Sequence, residues 1–158
     1  MLAVPKALEF NQTWRSEEGL DAASHNKKRL LEASSMLADA FGTELPQPAG
    51  TVCSMGMVQL PDALVVNDVP GVPGKGVRHK LRERYNIEAA IGTFPVAVTN
   101  DGRVMAAQAI EEGGTFRLSG STAETRGFVR LSHAVYNRPE EYELFRDAVL
   151  ELTAEGER

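Results

Sequence analysis

The chain has 158 residues, 42% of them hydrophobic, enough for one globular domain with a modest core. Its 17 basic and 22 acidic residues leave a net charge of −5, which argues against a general nucleic-acid binder. No apolar run approaches the ~20 residues of a membrane helix, and Met1-Leu-Ala-Val-Pro-Lys6 lacks the basic start and long apolar core of a signal peptide, so cytoplasmic residence and no membrane partner are expected.

Residues 2–10 read as a short helix ending near Asn11. Ser16, Glu17 and Glu18 open a long helix whose acidic first turn complements the helix dipole. Leu20, Ala23, Leu30, Leu37 and Phe41 recur at helical spacing, and at 1.5 Å per residue a helix from Glu17 to Phe41 is about 37 Å long. Gly42 and the Pro46, Pro48, Gly50 cluster end it. A strand follows over residues 51–60, with Met55 and Met57 on one face, Val52 and Val58 on the other, and the methionines read as core. Cys53, the single cysteine, cannot form an internal disulfide and has no Cys or His at metal-ligand spacing; it reads as a small buried hydrophobe, and no metal is expected.

Residues 62–76 read as a loop whose Gly71-Val-Pro-Gly-Lys-Gly76 fails the P-loop template. Val77 to Tyr85 reads as a helix with Val77, Leu81 and Tyr85 on one face and a solvated basic face opposite. Ile87 to Phe94 reads as a strand and Thr99 to Gly102 as a turn. Val104 to Glu112 fits helix or strand; Thr115 to Leu118 fits a strand, and Ser119 to Thr122 a loop. His25, His79 and His133 read as surface or capping residues, His133 drawing most interest because it follows the next strand.

That strand carries Arg130. Phe128, Arg130 and Ser132 alternate with Val129 and Leu131, which sends Arg130 to the face opposite the two aliphatic side chains. A guanidinium offers a planar fork of donors matched to a carboxylate, though an ordinary surface or ion-paired arginine fits the same pattern. Asn137, Pro139 and Glu140 read as a helix start with Asn137 as the cap, and Tyr142, Phe145, Val149 and Leu152 give that helix one apolar stripe. Tyr136 reads as a packing residue. The mixture of elements favours an α+β fold, a small mainly antiparallel sheet with helices on one face.

The segment Val129 to Glu141, VRLSHAVYNRPEE, resembles the closing segment of class V aminotransferases, pyridoxal-phosphate enzymes of fold type I, and is most similar to the isopenicillin N epimerase-like branch. LAVPKALEF at 2–10, SHNKKRLLEASSML at 24–37 and KLRERYNIEAAIG at 80–92 match in the same order. The resemblance implies a C-terminal small domain over residues 43–158, preceded by a helical segment, 1–42, bridging from a large domain. It also implies that Arg130 binds the α-carboxylate of an amino-acid substrate, with Ser132, Tyr136 and Asn137 in support. The family's cofactor lysine lies in the large domain, and none of Lys6, Lys27, Lys28, Lys75 or Lys80 stands in a similar context. The expectation is therefore the C-terminal part of an epimerase, aminotransferase or lyase, inactive alone and not covalently bound to pyridoxal phosphate. Its partners would be the large domain or a separate polypeptide supplying it, and a second copy in a homodimer. Residues 96–126 exceed the family's usual connection. A stand-alone binding module that keeps the fold is the competing expectation, and a nucleic-acid contact through the helix at 77–85 a remote third.

Overall fold

Among the described residues four antiparallel strands, in sheet order β1 (Met55–Gln59), β4 (Ser121–Ser132), β2 (Ala90–Thr99) and β3 (Val104–Ala106), form the frame on which the helices lie. The structure is a computed structural model and describes residues 5–6, 9, 22–46, 49–64, 76–99, 104–106, 121–134 and 136–156. Its elements run α1 (Ala22–Phe41), a 3-10 turn (Ala49–Thr51), β1 (Met55–Gln59), α2 (Val77–Tyr85), β2 (Ala90–Thr99), β3 (Val104–Ala106), β4 (Ser121–Ser132) and α3 (Pro139–Gly156). The architecture is the expected α+β fold with an antiparallel sheet.

Alternation along the strands decides which face meets the helices. Val58, Leu60, Val129 and Leu131 join Leu30, Leu37 and Phe41 of α1, Val77 and Leu81 of α2, and Tyr142, Phe145, Val149 and Leu152 of α3 in one core. α1 packs into this core through Leu30, Ala33, Leu37, Ala38 and Phe41. Its acidic first turn lies outside the described residues. The helix ends at Gly42, whose φ of +65° is open to a residue without a Cβ. There the Gly42 N–H donates to Asp39 O at 3.3 Å and the Thr43 N–H to Ala38 O at 3.0 Å, the paired bonds of a Schellman stop.

Several expectations need correction. Cys53 is exposed, in a bend before the strand, because β1 begins only at Met55. Met55 is 58% exposed on the outer face, so it is not core. β2 runs through Pro95 to Thr99 and β4 begins at Ser121, so residues 96–99 and 121–126 extend the sheet. Ser121 and Thr122, read as loop, are strand. The phosphate-loop segment at 71–75 and the strand at 115–118 lie outside the described residues.

Candidate functional site: the open end of the sheet

Pairing between β2 and β4 starts at Ala90 opposite Arg130, whereas β1 accompanies β4 two residues further, to Met55 opposite Ser132. Past Arg130, β4 therefore has a strand neighbour on one side only among the described residues. The gap on the other side is a cavity of ≈ 330 Å³ whose walls include Ile87, Glu88, Ala90, Arg130, Ser132 and Tyr142.

Arg130 is exposed, as its alternation demands, with Met57 and Ala90 as its cross-strand neighbours. Neither can neutralise a guanidinium. Two carboxylates also border the cavity, and both are engaged elsewhere. Glu88 accepts from Arg78 Nε at 3.1 Å and Nη2 at 2.6 Å and from Arg82 Nε at 2.6 Å, and these bonds hold its carboxyl below the ordinary value. Glu141 Oε2 accepts from Asn137 Nδ2 at 3.0 Å. Among the described residues Arg130 has no ion-pair partner, although Arg29, Arg78, Arg82, Arg84, Arg126 and Arg146 each have one.

The strand end itself is held from within. Tyr142, 8% exposed, donates its hydroxyl proton to Ser132 O at 2.8 Å. A phenol has one proton, so at the 3.0 Å contact with His133 Nδ1 it accepts. The imidazole thus carries its proton on Nδ1. His133 is 4% exposed, which corrects its reading as a surface residue, and its N–H donates to Ser54 O at 3.1 Å. Burial, then the charges of His25 and Arg29, push His133 below its ordinary pKa and keep it neutral. Burial pushes the Tyr142 phenol up.

Two supporting residues behave differently from expectation. Tyr136 is 80% exposed and packs nothing. Asn137 does not cap a first-turn N–H; its Oδ1 accepts from Ala134 N at 2.9 Å and closes the turn before α3. Sequence reasoning placed Tyr142 only in the apolar stripe of α3. The missed signal is a hydroxyl in that stripe one turn into the helix, nine residues after a histidine at a strand end.

Elsewhere, Arg126 bridges Asp62 and Glu124, beside a cavity of ≈ 550 Å³ where Gln59 Oε1 and Arg126 Nε find no partner among the described residues. Among the described residues no three metal-ligating groups converge, and no helix is long and apolar enough to cross a membrane. No lysine borders the Arg130 cavity among those residues. Its groups suit the carboxylate end of an amino acid, and they do not form a pyridoxal-phosphate site.

No family model matches the chain. An Arabidopsis thaliana protein described as an L-cysteine desulfhydrase is 35% identical over 153 residues, covering 96% of this chain and 30% of that protein. Two Oryza sativa subsp. japonica proteins carrying the same activity as a provisional name are each 36% identical over 156 residues, covering 98% of this chain and 30% and 29% of theirs. The chain is therefore similar to part of the L-cysteine desulfhydrases, and spans about 30% of the length of the curated relatives it matches.

Proposed function

We infer that this chain is the C-terminal, carboxylate-binding part of a pyridoxal-phosphate-dependent lyase, and that Arg130 holds the α-carboxylate of L-cysteine. The observation that carries the reading is the exposed guanidinium of Arg130: among the described residues six other arginines are ion-paired and only Arg138 is also unpaired, and of these two Arg130 alone borders the cavity at the strand end. The similarity to L-cysteine desulfhydrases supports a carbon–sulfur lyase over the epimerase branch that the motif resembles. Pyridoxal phosphate, held elsewhere in the complete enzyme, supplies the electron sink next to the amino acid's Cα. The role of this chain is to bind and orient. A bidentate guanidinium fixes the carboxylate plane, and apolar Met57 and Ala90 on either side leave its charge uncompensated until substrate arrives.

The test is Arg130→Ala in the complete enzyme. KM for L-cysteine should rise on the order of 10- to 100-fold, the loss of a charge-assisted pair, with the cofactor's absorbance unchanged. Arg130→Lys should recover part of the loss, because an ammonium keeps the charge but not the fork. An unchanged KM in Arg130→Ala removes the reading. Cofactor binding by the isolated chain, with an imine band, would count against the cofactor's being held elsewhere.

A further inference from the structure

Arg130 needs a fixed direction as well as a free charge, and among the described residues the strand that carries it loses one of its two neighbours just past Arg130. Between paired strands, successive residues send their backbone groups to alternate sides. The His133 N–H bonds toward β1, at Ser54 O. The Ser132 carbonyl faces the other way, beyond Ala90, where β2 has not begun. Without a strand there, that carbonyl has no ladder partner. The Tyr142 hydroxyl takes the place of the absent strand, and the His133 Nδ1–H holds the phenol by its second bond. The two rings stack at 5.9 Å and 24°, which limits how the phenol can turn. Tyr142 borders the same cavity as Arg130.

We propose that Tyr142, oriented by His133, is the positioning residue for Arg130: its hydroxyl completes the β4 ladder at Ser132 and so fixes the direction in which the guanidinium meets a substrate carboxylate. This rests on the carboxylate role of Arg130. It assigns no contact between Tyr142 and substrate.

The experiment compares L-cysteine with cysteamine, the same amine and thiol without the carboxylate, as ligands of the complete enzyme. Tyr142→Phe keeps the ring and removes the hydroxyl. It should lower the preference for L-cysteine over cysteamine about 5- to 30-fold, the effect of one or two kcal/mol, with kcat for L-cysteine changed far less than KM. His133→Asn, which keeps an N–H donor near the Nδ1 position, should retain most of the preference, and His133→Leu should lose part of it. Equal weakening of both ligands by Tyr142→Phe, or none, overturns the proposal, since a merely structural residue would not distinguish them. Arg130→Ala run alongside separates the two failures. If it abolishes the preference while Tyr142→Phe leaves it intact, the positioning role falls alone; if it leaves the preference intact, the carboxylate role falls and the positioning role with it.

Discussion

Val129 and Arg130 are neighbours in β4, one peptide bond apart, and they serve opposite purposes. Val129 is 1% exposed among the side chains of three helices, whereas Arg130 projects from the other face into water. The inner face is filled by apolar side chains whose partners are all within the chain. On the outer face Phe128 is buried against Phe94, with ring centroids 6.0 Å apart, yet Phe94 is 48% exposed and Met55 58%. The inner face holds the domain together, and the outer face at the Arg130 end is free to hold something else. One strand does both because its side chains alternate with period two.

The sharpest way to break that comparison is to measure stability on both faces. Phe145 is 5% exposed on the inner side, edge-on to Phe41 at 6.4 Å. Phe145→Ala should cost about 3–5 kcal/mol in urea unfolding of the chain, the sum of lost burial and the cavity left behind. Arg130→Ala should change stability by no more than about 0.5 kcal/mol, as for an exposed residue with no internal bond. A large loss in Arg130→Ala would make the outer face structural and weaken its reading as a binding face.

Tyr142→Phe comes next in size, because its ring is packed in the core while its hydroxyl holds the strand end. The ring stays packed, so the cost is that of the lost bond to the Ser132 carbonyl and of a buried His133 Nδ1–H left without its partner, about 1–3 kcal/mol. Hydrogen exchange should show the loss concentrated at the end of β4, with the amides of α1 protected as before. A loss spread evenly over the domain would mean that Tyr142 supports the core generally and has no special hold on the strand end.

How much of this was legible follows from what each signal encodes. The stripe of Tyr142, Phe145, Val149 and Leu152 is buried as read, and the helix at Val77–Tyr85 has the expected bounds, because apolar periodicity is a direct record of burial. The length of β2 was hidden by Pro95, which normally ends a strand. Pro95 lies just before the residues paired to β3, Val96 to Val98, so that among the described residues its one strand neighbour is β4 and a missing N–H can be tolerated. Cys53 and Met55 looked like core because their composition is apolar; β1 starts four residues later than expected, which leaves Cys53 in the bend before it, and Met55 lies on its exposed face. The position of Arg130 on the outer face was legible from alternation. Its lack of a partner was not, since pairing depends on where Glu88 and Glu141 point after folding. The phenol–imidazole relay was invisible for the same reason: it joins a helix to a strand end through two polar atoms that leave no period in the sequence.

The pH response adds a smaller effect from the same strand end. His133 has a depressed pKa in the folded chain, from burial and from the charges of His25 and Arg29. The groups facing it also include Glu32 on α1 and Glu141 and Tyr142 on α3; the two carboxylates act in the opposite direction and more weakly. The unfolded state therefore binds a proton at a higher pH than the folded state does. The contribution is fully present above the unfolded value of 6.5 and is lost as pH falls through the lower folded value. The urea midpoint of the wild type should fall between pH 7 and pH 5.5 by more than that of His133→Asn. Equal falls would show that His133 titrates in its ordinary range.

The smallest effect belongs to the arginines that are already paired. Arg78 and Arg82 share Glu88, and Arg84 meets Glu155 at 2.6 Å, all at the surface. The Glu88 carboxyl is held low by its two arginines, but in water such pairs are screened and their net worth is small. Glu88→Gln should barely move the thermal midpoint at physiological salt. Its informative consequence is at the cavity. Removing the charge frees Arg78 and Arg82 and takes one carboxylate from the rim beside Arg130, so affinity for L-cysteine in the complete enzyme should stay the same or rise slightly, most visibly at low salt. If Glu88→Gln instead weakened L-cysteine binding as much as Arg130→Ala does, the carboxylate would have to be part of the site, and an unpaired arginine at the cavity border would no longer identify which residue meets the substrate.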